Sequence, residues 1–184
     1  MQYSTRPAIV MNQVTIKPLT VADIDMLRQM SIDTFVDTYA SFNTPENMAL
    51  HIVAKFDKEV LLNEMTDKHN YFFAAMLNSV PAGYIKLRTA EEPEALRNRK
   101  HIELERIYVV KEFQGTGLGY KLIQYCIDFA SVKGYEVLWL GVWKQNERAF
   151  NFYTKCGFEI FGEHSFILGS DEQVDWLMKK ELLI

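Results

Sequence analysis

The chain has 184 residues, enough for one domain with a substantial core. Hydrophobic residues make up 48% and charged residues 24%, an ordinary globular composition, and a net charge of −4 argues against a nucleic-acid partner. No apolar run approaches the roughly 20 residues a membrane helix needs, and the first ten residues lack a signal-peptide core, so a soluble cytoplasmic protein is expected.

In chain order, residues 1–12 read as an N-terminal extension, with Met11 as a candidate start, before a single domain over residues 13–184. Residues 14–17 alternate and are stopped by Pro18, which gives a first strand. Thr20 or Asp23 can cap a helix carrying Ile24, Leu27, Met30 and Phe35 and ending near Tyr39. Thr44 with Pro45 opens a second helix, and Asp57 a third, short one. Residues 71–77 and 80–88 are strands joined by Asn78-Ser79, a hairpin signal. Residues 89–100 have no apolar period and read as a mobile loop, with Arg97, Arg99 and Lys100 solvated or else available to an acidic partner.

Residues 102–110 alternate as a strand and lead into Gln114-Gly115-Thr116-Gly117-Leu118-Gly119. A helix follows, with Leu118, Leu122, Ile123, Cys126, Phe129 and Ala130 on one face, stopped by Gly134. Glycines in such a turn permit unusual backbone angles and let a ligand approach the main chain. The N–H groups opening the next helix, with its dipole behind them, then form an anion site suited to a pyrophosphate. Taken alone, the motif is also what any tight strand-to-helix turn would show.

Residues 136–142 are nearly all apolar, the pattern of a central strand. Asn146 caps a helix that Gly157 ends, and residues 158–161, 165–168 and 174–179 read as closing strands. The order is a mixed α/β sheet, antiparallel at hairpins and parallel across helical crossovers. Cys126 and Cys156 read as packed thiols, and His51, His69, His101 and His164 have no metal-ligand spacing, so no metal is expected.

Three blocks in order, ERIYV, QGTGLG and NERAFNFYTKCGF, make the chain resemble the Gcn5-related N-acetyltransferases. Asn146, Ala149, Phe152, Tyr153, Gly157 and Phe158 fill the last motif. Further blocks, FVDTYASFNTPENM, GYIKL, LWLGVW and HSFILGSDEQVDWLMKK, resemble the bacterial branch acting on spermine and spermidine. The chain departs from that branch at Lys144 and Ser170, where an acid is usual.

The resemblance implies a mostly antiparallel sheet of about seven strands, flanked by helices and splayed at the coenzyme site. It implies acetyl transfer from acetyl-coenzyme A to a small amine, a polyamine above all, with no membrane or nucleic-acid partner, and it admits a homodimer. Backbone N–H groups of Gln114, Gly115, Thr116, Gly117, Leu118 and Gly119 would hold the pyrophosphate. Main-chain groups of Ile107, Tyr108 and Val109, with Asn146, would meet the arm of the coenzyme, and an amide of Ile107 or Tyr108 the oxyanion. Tyr153 would donate to the departing sulfur; without the resemblance it reads as a core tyrosine. Glu105, nine positions before Gln114 and with Glu103 in reserve, would take the amine proton through water. Alternation puts Glu105 on one face with Glu103, Ile107 and Val109; read alone, it is a strand glutamate pairing with Arg106 or Lys111. Asp33, Asp37 and Glu46 are candidate ammonium contacts, each also readable as part of a solvated helix face. Acetylation of a protein amine and coenzyme binding without catalysis are the rival readings.

Overall fold

The computed structural model describes residues 14–89, 93–168 and 171–183. The N-terminal extension, residues 1–12, and the departure at Ser170 lie outside the described residues. Strand β1 (Val14–Pro18) ends on its proline, and Asp23 then accepts from the Thr20 amide and hydroxyl to set up α1 (Ile24–Tyr39). Thr44 accepts from the Asn47 amide at the start of α2 (Pro45–Phe56), and Asp57 from the Glu59 amide at the start of α3 (Lys58–Thr66). Asn78 and Ser79 both take positive φ, 50° and 68°, between β2 (Asn70–Leu77) and β3 (Val80–Arg88), the tight hairpin expected. The chain continues as β4 (His101–Val109), α4 (Leu118–Val132), β5 (Val137–Trp143), α5 (Glu147–Lys155), β6 (Glu159–Leu168) and β7 (Asp171–Glu181).

The seven strands form one sheet in the order β1-β2-β3-β4-β5-β7-β6. Every neighbouring pair is antiparallel except β4 and β5, which are parallel and connected through α4. On one face, Leu118, Leu122, Ile123, Cys126 and Ala130 of α4 pack on Leu87, Ile102, Leu104, Leu138 and Leu140. On the other, Leu27 and Met30 of α1 cover Phe72, Ala74 and Tyr84, while Phe35, Met48, Phe56 and Leu61 join the three N-terminal helices. Both faces are therefore buried at the centre, which is why β5 is apolar almost throughout.

Two sequence expectations are corrected. Residues 158–161 and 165–168 are not separate strands: β6 runs through both, and the register irregularity between Ile160 and Gly162 absorbs the apparent break. The described part of the 89–100 segment is anchored rather than loose. Leu96 is 1% exposed against Val137 and Trp139, and Arg99 forks onto Glu181 with two bonds of 2.8 Å.

The feature that positions the site is how briefly β4 and β5 pair. Contact is limited to His101 with Val137, Ile102 with Leu138 and Glu103 with Trp139. Beyond Glu103 the strands part while β4 stays paired to β3 as far as Val109. Gly83 keeps that β3–β4 contact close, because a Cβ there would sit 2.5 Å from the Tyr108 carbonyl oxygen. Gly83→Ala is expected to cost about 2 kcal/mol, as backbone must move to admit the methyl group; urea unfolding of the two proteins checks this.

Candidate active site

The gap between β4 and β5 opens into a cleft of about 630 Å³, the size of a small-ligand site. Its two halves lie on opposite faces of the sheet. The first is built where β4 runs into α4. Gly115 and Gly117 take φ of 77° and 87°, and nothing lies within 4 Å of where a Cβ would stand on either. The turn thus uses angles that favour glycine and keeps open space before the backbone. The first bond of the α4 ladder runs from the Lys121 amide to the Gly117 carbonyl, so the amides before it have no helical acceptor. They present the positive end of a 15-residue helix to the cleft.

Gln114 ties this half together. Its Nε2 donates to the Val109 carbonyl at 3.1 Å, and its Oε1 accepts from the Arg148 guanidinium at 3.1 Å. Arg148, which the sequence reading did not single out, thus brings a cation to the same mouth as the α4 amides. Asn146 accepts from the Ala149 amide as the α5 cap, and this leaves its Nδ2 for a ligand in the cleft. The side chains of Thr116 and Leu118 turn away: the Thr116 hydroxyl donates to the Phe113 carbonyl at 2.7 Å, and Leu118 is core. Only their main chain can serve a ligand.

Main-chain directions on β4 refine the expected contacts. The Val110 amide donates to Ala82, and the Tyr108 carbonyl crowds Gly83, so residues 108 and 110 point their main chain at β3. By alternation Ile107 and Val109 point theirs into the gap. Tyr108 reaches the cleft by its ring, not by its amide, and the Ile107 amide is left as the β4 donor expected for an oxyanion.

The second half is walled by Phe35, Tyr39, Phe56, Tyr108 and Trp143. His51 stacks on Phe35 with centroids 4.2 Å apart. Burial, with help from Lys55 and Arg106, lowers the His51 pKa to about 4, so it is neutral near pH 7. The Tyr39 and Tyr108 phenols lie close enough to influence each other; burial pushes Tyr39 up to about 12 and Tyr108 well above the ordinary phenol value. Tyr153, half-buried on α5 and packed with the α4-side core, faces Tyr108 across the gap. Burial, the largest cause, also raises its pKa, so its hydroxyl keeps its proton. Asp175 of β7 completes the floor.

Glu105 lines the cleft but is heavily engaged. Between Lys86 and Leu87 the β3–β4 register slips, and Glu105 is the residue left without a partner. This bulge breaks the alternation. Ile107 and Val109 pack with the α4-side core, whereas Glu105 turns with Arg106 to the α3 side. Lys86 lies 2.7 Å, Arg88 3.2 Å and Arg106 3.2 Å from its oxygens. Burial raises its pKa, but Arg106, Lys86 and Arg88 together outweigh that and leave it below the ordinary value. Glu64 bridges Lys86 and grips Arg106 with two bonds of 2.9 Å, and Glu103 pairs with Arg88. Of the other acids considered, Asp33, Asp37 and Glu46 are exposed outside the cleft lining; Asp33 accepts from Gln29, and Asp37 lies 3.6 Å from Lys111. Lys144 lies over the Trp176 ring at 3.8 Å and pairs with Glu163.

This geometry meets an independent sequence match: the model of the acetyltransferase (GNAT) family matches residues 30–158. The chain belongs to that family. An uncharacterized N-acetyltransferase in the pepI 3′ region of Lactobacillus delbrueckii subsp. lactis is 37% identical over 94% of this chain and 100% of its own length. A spermidine N(1)-acetyltransferase of Thermoplasma acidophilum is 28% identical over 80% of this chain and 89% of its own. The crystal structure of PaiA N-acetyltransferase from Thermoplasma acidophilum, in complex with coenzyme A, superposes with a TM-score of 0.75 at 26% identity, over 91% of this chain and 98% of that one. As a GNAT enzyme the protein uses acetyl-coenzyme A as its cosubstrate, and the open turn, the α4 amides and Arg148 fit an anionic coenzyme. Among the described residues there is no cluster of metal-ligating side chains and no helix long and apolar enough to cross a membrane.

Glu105→Gln removes a charge from a partly buried network and leaves cations uncompensated, so a loss of about 3 kcal/mol is expected at pH 7. A carboxylate whose pKa is depressed by folding stabilises above its ordinary value, 4.5, and that stabilisation fades as the pH falls towards the lower folded value. Unfolding curves of the two proteins should therefore differ most near neutrality and converge in acid.

Proposed function

We propose that the chain moves acetyl from acetyl-coenzyme A to a primary amine, of the polyamine class, by direct attack without a covalent enzyme intermediate. The observation that carries this is the gap itself. It joins an anion-binding helix start on one face of the sheet to an aromatic chamber on the other, with Tyr153 beside the passage. The coenzyme supplies an acetyl thioester there. The Ile107 amide is aimed to meet negative charge on the carbonyl oxygen. The Tyr153 hydroxyl, held protonated by burial, donates to the sulfur as it leaves. A cysteine route has little support: burial raises the thiol pKa of both Cys126 and Cys156 and suppresses their thiolates.

Glu105 has a different part in this reading from the one its position on the strand suggests. Its charge is committed to Lys86, Arg88 and Arg106, so it holds the β4 bulge and the chamber wall. The polyamine acceptor is supported by the relatives named as spermidine N(1)-acetyltransferases, among them one from Escherichia coli (strain K12) at 26% identity. One observation favours a second reading, a peptide or protein amine: Lys55 and Arg106 accompany Glu105 and Asp175 in the chamber, which is close to neutral.

Thiol release from acetyl-coenzyme A, measured with spermine, spermidine, putrescine, a short basic peptide and no acceptor, decides between them. Turnover confined to spermine or spermidine is the expected result. Turnover with the peptide alone would establish the second reading, and tight coenzyme binding without turnover would leave only a binding protein. Tyr153→Phe is expected to lower kcat by about 100-fold with the KM for the amine nearly unchanged; a variant with full kcat would remove Tyr153 from the chemistry.

A further inference from the structure

We infer that Asp175, on the floor of the aromatic chamber, takes the proton that the incoming ammonium must lose before its nitrogen can attack. The inference rests on the acetyl-transfer reading above and gives a role to a residue to which neither the motifs nor the spacing on β4 assigned one.

The argument begins with β5. That strand is apolar and buried except at Gly141, which borders the cleft. A Cβ on Gly141 would stand 3.0 Å from Asp175 Oδ2, because the carboxylate leans over the glycine from the neighbouring strand. Any other residue at 141 would crowd the carboxylate. A glycine in a central strand has a cost, and here the space it frees is occupied by a charged group.

Asp175 Oδ1 is buried and has no hydrogen-bond partner among the described residues. No lysine or arginine pairs with it there either. The titratable groups facing it are Tyr39 from α1 and Tyr108 from β4, both of which interact with its charge and stay protonated. His164 stands opposite it across the β6–β7 ladder. Arg106 and Glu105 border the same cleft but are held in their own network. A half-buried carboxylate whose buried oxygen has no partner carries a cost that an arriving cation can offset. An ammonium is the cation this reaction brings.

The two carboxylates on the cleft therefore differ in kind. Glu105 has three cations within 3.2 Å and is held below the ordinary value. Asp175 has none, and burial alone raises its pKa to about 6. A base whose pKa lies closer to the working pH is the better proton acceptor. It also sits beside Tyr108, the residue facing Tyr153 across the passage.

The proton accounting closes. The ammonium gives one proton to Asp175, and the freed lone pair forms the carbon–nitrogen bond as the carbon–sulfur bond breaks. Sulfur takes the Tyr153 proton, and the second proton lost by nitrogen restores the phenol. Asp175 then returns its proton to solvent, so one proton is released per acetyl amine and thiol formed.

The experiment is Asp175→Asn in the full chain, with Glu105→Gln alongside, assayed by thiol release with whichever panel amine the wild type uses. Wild-type kcat/KM should show an ionisation near pH 6 that must be deprotonated for activity, so the rate rises through that pH. In Asp175→Asn that limb should vanish and kcat fall by about 100-fold. Coenzyme affinity should be unchanged. The melting temperature at neutral pH should be no lower, since a carboxylate whose pKa folding raises loses stability as the pH climbs through the folded value. Glu105→Gln should keep the limb. An Asp175→Asn enzyme with wild-type kcat and an unaltered limb, or a Glu105→Gln enzyme that loses the limb, would overturn the inference. A second readout needs no turnover. The Asp175 carboxyl carbon, followed by NMR in the wild type, should titrate near pH 6 and shift to lower pH when spermidine is added. Failure of thiol release with every amine sinks the transfer reading, whereas a carboxyl insensitive to pH and to spermidine sinks this one.

Discussion

Three residue pairs hold β4 to β5, and the rest of the site depends on the pairing stopping there. A strand edge with unused N–H and C=O groups inside a sheet is ordinarily a defect, because buried main-chain polar groups need partners. Here the edge of β4 beyond Glu103 faces a cleft, so a ligand or water can supply what β5 does not. The crossover through α4 adds the second condition. Each parallel strand delivers the chain to a helix that starts at its carboxyl end, so α4 and α5 both begin at the mouth of the gap. The dipole of α4, the Asn146 cap and Arg148 converge for that topological reason.

Beside the β3–β4 ladder lies a compact charge cluster. Glu64, Glu103 and Glu105 balance Lys86, Arg88 and Arg106 beneath α3. Such a cluster adds little net stability over a well-packed apolar equivalent, since desolvation cancels most of the attraction. It does fix geometry. Arg106 can reach two glutamates only if β4 bulges at Glu105, and the bulge turns the strand so that Ile107 and Val109 stay on the α4 side while Tyr108 enters the chamber. The cluster is better understood as setting the direction of β4 than as strengthening the sheet.

Much of this was legible in the sequence, and the omissions have physical causes. The turn from Gln114 to Gly119 and the Asn146 helix are local features, so caps, glycines and periodicity specify them directly. The face of Glu105 was not legible, because alternation assumes an unbroken ladder and the bulge depends on Lys86 and Glu64, 19 and 41 positions away. The alternative of a strand glutamate paired with Arg106 describes what the structure contains. Asp33 and Asp37 drew attention because a one-turn spacing places them together, but spacing cannot say which way a helix face turns, and these lie outside the cleft lining. Asp175 was hidden for the opposite reason. In VDWLM it reads as one polar residue in an apolar strand, and only the fold brings it over Gly141.

Charge in the chamber constrains any amine that enters it. His51 is neutral near pH 7, Glu105 and Arg106 belong to the balanced cluster, and Asp175 is the carboxylate on the cleft that burial alone governs. Under the reading proposed above, this leaves room for one ammonium to be compensated in the interior. Each further ammonium of a polyamine would have to stay at the solvent mouth, where water rather than a carboxylate bears the cost of its charge. The aromatic walls can hold the methylene chain between the two positions through apolar contact. Selectivity among amines would then depend on how far the second nitrogen stands from the first. A short diamine would bring its other charge inside uncompensated, and a longer chain would leave it in water.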